Sequence, residues 1–244
     1  MIRVENLHVK LKGRAILSDI NFTLRAGEVV GLFGPPAAGK SILFKAVAAL
    51  VEPEQGAIYV DDARIDNAPF AQKVAWRRRI GMAFQNDALF DDMTVFDNIA
   101  FPLRRRQVDE ALIAERVMGR LTDVELAGAA QKFPSEISGG MRKRVGIARA
   151  TVIEPDVGLF DDPIAGLDPV TSGVILDLIV RLQTRLNMAV VIVSNDLPVL
   201  LPICTRAMML HQGRVVYDAP PQGLAGAEQS AVRQFIQGAD EGPL

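Results

Sequence analysis

Cysteine is almost absent from this chain, with Cys204 the single example among 244 residues. One thiol cannot close an internal disulfide, so the fold must rest on burial and hydrogen bonding, which suits a reducing compartment. Cys204 itself is expected as a small core residue. Histidine is nearly as scarce: His8 and His211 stand apart from one another and from acidic or Cys neighbours at metal-ligand spacing, which argues against a structural metal. No stretch approaches the roughly 18 consecutive apolar residues of a membrane span. The opening Met1-Ile2-Arg3-Val4-Glu5-Asn6-Leu7 has no signal-peptide pattern, so any membrane role is expected to be peripheral. Excess charge is lacking as well. A net charge of −2 gives no bulk attraction to nucleic acid or anionic lipid, and no nucleic-acid partner is expected. The clusters Arg77-Arg78-Arg79, Arg104-Arg105-Arg106 and Arg142-Lys143-Arg144 read as solvated helix faces.

What is present is an ordinary globular composition, 49% hydrophobic and 23% charged, enough to bury a core in one large domain or two small ones. The first ninety residues read as strand-rich, with strands over Ile2 to Leu7, Ile20 to Leu24, Val29 to Phe33, Ala57 to Val60 and Ile80 to Phe84, and one strong helix among them. From Thr94 to Ile153 the pattern turns helical, over Val108 to Thr122 and again from Ser138, where Met141, Val145, Ala148 and Val152 share a face. Alternation then resumes: strand Val157 to Phe160, helix Val170 to Leu186 with Val170, Val174, Leu178, Leu182 and Leu186 as its stripe, strand Ala189 to Val193. A parallel α/β core split around a helical insert is the expected architecture. No internal repeat is visible. Residues after Gly223, with a short helical Ser230 to Gln237, read as an appendage, either a docking element or a frayed end.

The densest chemical signal is Gly34-Pro35-Pro36-Ala37-Ala38-Gly39-Lys40-Ser41, which fits the phosphate-binding pattern G-x-x-x-x-G-K-[ST]. It follows the unbroken apolar run Val29-Val30-Gly31-Leu32-Phe33, as expected of a doubly buried parallel strand. It precedes Ile42, Leu43, Ala46, Val47 and Leu50 at helical spacing, with Lys45 facing outward. A loop so placed aims backbone N–H groups and the positive helix end at one point, which suits a polyphosphate. Lys40 would reach the β- and γ-phosphates and Ser41 would ligate Mg²⁺.

Hydrolysis needs more than a phosphate loop: a metal-holding acid, a water-positioning group and charge stabilisers. Val157-Gly158-Leu159-Phe160-Asp161-Asp162 ends a buried strand in two carboxylates, the first suited to Mg²⁺ and the second able to face an attacking water. Taken alone, the pair reads as a solvated turn before Pro163. Ser138-Gly139-Gly140-Met141 opens a helix with an N-cap serine and two glycines that permit close approach to an anion; alone it is only a cap.

The order of these elements resembles the ATP-binding subunits of ABC transporters. Gly34 to Ser41 matches Walker A, Gln85 the Q-loop, Ser138-Gly139-Gly140-Met141 the signature, Asp161 the Walker B acid, and Ala165-Gly166-Leu167-Asp168 the D-loop. Within that superfamily, the run from Phe84-Gln85-Asn86-Asp87 through Asp97-Asn98-Ile99 is similar to the Mla-type phospholipid transport ATPases. So are Met141 in the signature and the closing Val232-Arg233-Gln234-Phe235-Ile236-Gln237-Gly238. The resemblance implies a P-loop NTPase α/β fold with an antiparallel β subdomain and an inserted helical subdomain. It implies one ABC ATPase domain over 1–237, with core segments 1–93 and 157–223, helical segment 94–156 and a tail 224–244. Also implied are ATP and Mg²⁺ as cofactors, with Gly34 to Ile42, Leu11, Ser138 to Met141 and Asp168 on the nucleotide. Ser41, Gln85 and Asp161 would attend the metal, and Gln85, Asp162 and Asn195 the chemistry.

The partners it implies are a second ATPase subunit in a head-to-tail homodimer, an Mla-type permease, a lipid-binding periplasmic subunit and a STAS-domain regulator. The place is the cytoplasmic face of the inner membrane, with Gln85 to Val95 against the permease. Several positions depart from the family pattern. Asp162 stands where Glu is usual, and a carboxylate drawn back by about 1 Å can slow chemistry on the order of 10²-fold. Asn195 stands for the switch His; it can donate a hydrogen bond but carries no charge. Ile42 replaces a hydroxyl residue, Pro36 removes a loop N–H, and Leu11 replaces the adenine-stacking aromatic. Slow hydrolysis in a homodimer is the expected outcome. The alternative is a nucleotide-gated structural module that does not turn over; a DNA-repair ABC ATPase ranks lower, since the long coiled-coil insertion is missing.

Overall fold

In the computed structural model, which describes residues 1–239 and 242–243, the chain forms two compact units, Met1–Arg78 with Ala189–Leu244, and Arg79–Met188. The first begins with β1 (Ile2–Leu11), β2 (Arg14–Leu24), β3 (Val29–Phe33), α1 (Lys40–Val47), β4 (Gln55–Val60), β5 (Ala63–Arg64) and α2 (Phe70–Arg77). The second contains β6 (Ile80–Ala83), α3 (Val95–Arg104), α4 (Glu110–Asp123), α5 (Gly139–Thr151), β7 (Val157–Asp161) and α6 (Pro169–Leu186). The chain then returns to the first unit through β8 (Ala189–Val193), α7 (Leu197–Leu200), β9 (Arg206–His211), β10 (Arg214–Ala219) and α8 (Ser230–Gln237).

In the first unit an antiparallel sheet runs in the order β2-β1-β4-β5. Beside it, β3 pairs in parallel with β8 and β9, and β9 carries β10 antiparallel at its other edge. All five residues of β3 and all five of β8 are buried, as their continuous apolar runs require of strands covered on both faces. Gly31 interrupts the run for a steric reason: a Cβ there would lie 2.8 Å from Cys204 Sγ. Cys204 is half-buried rather than fully in the core, and its burial pushes the thiol up to about 12, so it stays protonated at neutral pH.

The helix α8 corrects the frayed-end reading of the tail. Val232 is fully buried beside Phe33, Leu197 and Met209, and Phe235 sets its ring 5.6 Å from that of Phe33. Spacing of three residues puts Val232 and Phe235 on one helix face, which is enough to dock so short an element. Residues 240, 241 and 244 of the tail lie outside the described residues.

Two helices depart from the sequence pattern. α2 is not expected among the early strands; Phe70 at its start is exposed, and its anchor is Trp76, buried and donating Nε1 to the Val47 carbonyl at 2.8 Å. In α6 the expected stripe is wrong at its start, since Val170 is 79% and Val174 45% exposed. The buried face is Ile175, Leu178, Ile179 and Leu182. Residues four apart advance by about 40° beyond a full turn, so a strict i, i+4 row winds off the face it started on. Likewise Leu50 is exposed because α1 ends at Val47.

In the second unit, β6 and β7 pair in parallel from Ile80↔Val157 to Ala83↔Phe160. Its four helices all begin on side-chain caps: Thr94, Asp109, Ser138 and Asp168. A capping oxygen satisfies amides that have no partner in the first turn. β6 joins this unit because Gly81 lets its backbone touch α5; a Cβ there would sit 2.1 Å from the Ala150 carbonyl oxygen. The composition changes near residues 94 and 157 therefore do not coincide with the contact boundaries at 78/79 and 188/189.

Candidate functional site

The loop after β3 is shaped by two glycines no other residue could replace without strain. Gly34 adopts φ 137, and a Cβ on it would lie 2.0 Å from the Leu210 carbonyl oxygen. Gly39 adopts φ 107 at the N-cap of α1, where no side chain caps the helix. A helix start with glycine at its N-cap turns its positive end and backbone amides toward the loop, an arrangement that suits an anion. Ile16, Ala37, Ala38, Gly39, Lys40, Ser41 and Ile42 line a concavity of about 310 Å³. Lys40 Nζ donates to the carbonyls of Gly34 at 2.6 Å and Pro35 at 2.9 Å, which holds the ammonium over its own loop. Ser41 is exposed at the helix start, and Pro36 is exposed where the loop lacks an N–H. Leu11 ends β1, 37% exposed, and is not among the residues lining the concavity; Ile16, on which no motif falls, supplies an apolar wall there.

Asn195 follows β8 and Ser194 in the same unit. Its Oδ1 accepts from the Gly34 N–H at 3.3 Å, so the switch position and the first loop residue are directly tied. Fixing the oxygen toward Gly34 leaves Nδ2 as the donor end of the carboxamide.

The remaining candidates belong to the second unit. Gln85 and Asp162 stand just beyond the C-terminal ends of β6 and β7, and the parallel pairing of those strands brings them together. Gln85 Nε2 donates to Asp162 Oδ2 at 3.4 Å. Asp161 closes β7 half-buried, and Asp162 takes a left-handed backbone at φ 49, a conformation Asp tolerates better than most residues. The alternation of side chains along a strand would otherwise send two successive carboxylates to opposite faces.

Ser138 accepts from the Met141 N–H at 3.3 Å and caps α5. Gly140 lies beside α6, where a Cβ would meet Thr171 Cγ2 at 3.3 Å. Asp168 is occupied as the α6 cap, accepting from Val170 and Thr171 amides at 3.0 and 2.9 Å and from the Thr171 hydroxyl at 2.6 Å. The Thr171 hydroxyl and amide hold the Asp168 carboxyl below the usual range.

One sequence reading is corrected here. The Arg142-Lys143-Arg144 cluster is not simply a solvated face, because Lys143 is buried, with 8% of its surface exposed. It pairs with Asp87 Oδ1 at 3.1 Å and donates to the Gln85 carbonyl. A cation at the centre of a basic run carries no signal of its own burial. Only the helical phase, with Lys143 four residues before the buried Ile147 and seven before the buried Ala150, could have pointed to it.

A strand, a glycine-elbowed loop and an uncapped helix start define the first unit as a P-loop nucleotide-binding α/β protein. A family model described as ABC transporter matches residues 17–165. The whole chain is 38% identical to the Intermembrane phospholipid transport system ATP-binding protein MlaF of Haemophilus influenzae, covering 93% of that protein. It is 36% identical to the Probable ribonucleotide transport ATP-binding protein mkl of Mycobacterium tuberculosis, covering all of this chain and 68% of that one. Among solved structures, cbiO1 of Clostridium perfringens, part of an ABC transporter complex, matches 92% of this chain and 90% of its own, with a TM-score of 0.86 and 29% identity. A dimeric ATP-binding cassette in a post-hydrolysis state bound to ADP and Pi matches 91% and 99%, with a TM-score of 0.81 and 27% identity. The chain belongs to the ABC transporter family, as an ATP-binding, ATP-hydrolysing subunit.

Proposed function

We propose that this chain couples ATP binding and hydrolysis to phospholipid transport by a membrane ABC complex. The observation that carries the reading is full-length likeness to MlaF, together with a loop whose Gly34 and Gly39 geometry admits a polyphosphate. In this reading the backbone from Gly34 to Ser41 cradles the phosphates, and Lys40 leaves its loop carbonyls to pair with them. Ser41 and Asp161, with Gln85, are the residues suited to Mg²⁺; when bound, the ion neutralises charge on the phosphate oxygens. Such a site asks for one hydroxyl, one carboxylate and waters, so it needs no dense cluster of acids. Among the described residues no three His, Cys, Asp or Glu gather to form one.

Asp162 orients the attacking water, assisted by the Gln85 amide it already meets. Asn195 donates from Nδ2 to the γ-phosphate. The shorter acid and the uncharged donor make turnover slow. Two copies pair head to tail, each closing its partner's nucleotide with the Ser138 helix.

No helix among the described residues is long and apolar enough to cross a membrane; in this reading a separate permease supplies the path. The surface for it lies around the Gln85 to Val95 segment. Phe84, Phe90, Phe101, Met82, Ile80 and Ile153 are among the residues that line an apolar groove of about 440 Å³, with Phe84 and Phe90 exposed. In this reading the chain sits at the cytoplasmic face of the inner membrane.

The test is reconstitution with an Mla-type permease, in phospholipid vesicles with Mg²⁺ and ATP. Phosphate release and lipid movement should both vanish with Lys40→Ala. Lipid movement that survives this substitution would sink the reading.

A further inference from the structure

We propose that Lys143 is a positioning residue for Gln85, through which the helix opened by Ser138 governs the contact between Gln85 and Asp162. The inference rests on the hydrolytic reading of Gln85 and Asp162. Its starting point is the backbone of the Gln85 segment. Asp87 and Ala88 are consecutive non-glycine residues in left-handed conformation, at φ 58 and 48. Each such residue is costly, and the arrangement persists only where its surroundings over-determine it.

Two cations from one helix supply that determination. Lys143 reaches the Gln85 carbonyl and the Asp87 carboxylate. Six residues further along α5, Arg149 donates to the carbonyls of Asp87 at 2.7 Å and Ala88 at 2.8 Å. Between them Gly146 lies next to the strained turn, where even an added Cβ would make ordinary contact with the Asp87 carbonyl oxygen, at 3.8 Å. The Gln85 segment therefore rides on α5.

The two cations differ in what they fix. Arg149 holds the far side of the turn, at Asp87 and Ala88. Lys143 alone holds the peptide of Gln85, whose side chain meets Asp162. A buried ammonium stripped of its partners is costly, so Lys143 and Asp87 keep their pairing as α5 moves. Lys143 lies five residues from Ser138, about one and a half helical turns, so a shift of the helix start is carried to Gln85 with little loss. A closing second copy that engages Ser138 would thus set Gln85 against Asp162.

The test is steady-state ATPase of the purified full chain as wild type, Lys40→Ala, Lys143→Met, Lys143→Arg, Asp87→Asn and the Lys143→Met/Asp87→Asn double variant. Lys143→Met and Asp87→Asn should each lower kcat about tenfold while KM for ATP changes less than about twofold, because the phosphate loop is untouched. The double variant should be no slower than Lys143→Met, as for two ends of one interaction. Lys143→Arg should restore most of the rate. Thermal unfolding identifies any variant that fails to fold; Asp87→Asn, which keeps its shape, carries the test if Lys143→Met does so. The inference is overturned by wild-type kcat in both single variants, by losses that multiply in the double variant, or by Lys143→Arg as slow as Lys143→Met. Wild-type protein without Lys40-dependent phosphate release would overturn the hydrolytic reading itself, and this inference with it.

Discussion

The backbone N–H of Gly34 donates to the side-chain oxygen of Asn195 at 3.3 Å, which ties the entrance of the phosphate loop to the residue that follows β8. A side chain held this way is oriented before nucleotide arrives. Asn195→Ala should lower kcat by roughly 10–10²-fold, with a smaller effect on ATP affinity. Asn195 has no titration, so this position should leave kcat level between about pH 6 and 8. Asn195→His should introduce an inflection near the ordinary imidazole range, about 6.5. A pH–rate profile of the two proteins checks this; identical profiles would refute the role given to Asn195.

Asp162 meets Gln85 across the ends of two paired strands. If its short reach is what slows the chemistry, Asp162→Glu should raise kcat about tenfold or more. Asp162→Asn should lower it by roughly 10²-fold or more, because a carboxamide cannot accept the proton of the attacking water. Single-turnover phosphate release separates this from slow product release.

Gly34→Ala would place a methyl carbon 2.0 Å from the Leu210 carbonyl at φ 137. It should cost about 2–4 kcal/mol of stability and abolish nucleotide binding. Gly13→Ala is the control, with φ 78 but nothing within 4 Å, and should cost about 1 kcal/mol. Denaturant unfolding and equilibrium nucleotide binding on both variants measure the difference.

The Thr94 hydroxyl, followed by Arg104, holds the Asp97 carboxyl below its usual range. A carboxyl depressed on folding contributes stability that is fully present above its unfolded pKa, near 4, and is lost as the pH falls through the lower folded value. The stability difference between wild type and Asp97→Asn should therefore be constant above about pH 5 and shrink below about pH 4. Partial exposure keeps it under about 1 kcal/mol. Urea unfolding at a series of pH values gives the curve.

Much of the molecule is legible in its sequence, because the signals are local. Continuous apolar runs mark β3, β7 and β8, and the cap Ser138 and the turn glycines mark where helices and loops begin. The phosphate loop is a pattern of backbone requirements, two glycines and a lysine at set spacing, so spacing alone announces it. The features that escape are those whose cause lies far away along the chain. α2 depends on one Trp76 reaching Val47. The docking of α8 depends on Phe33 offering a ring to Phe235. Lys143 is buried because Asp87 and the Gln85 carbonyl meet it, and nothing in a run of three basic residues announces a partner fifty or more positions earlier.

The sequence by itself determined the class of this protein: an ABC-type α/β ATPase subunit carrying Asp162 and Asn195 at unusual positions. Those properties follow from residue type and spacing along the backbone, which the chain carries wherever it goes. Only the tertiary structure decided which side chains are joined: Gly34 to Asn195, Gln85 to Asp162, and Lys143 to Gln85 and Asp87. Such contacts arise from packing between distant segments, where a hydrogen bond needs its two ends within about 3 Å, and no local pattern encodes that meeting.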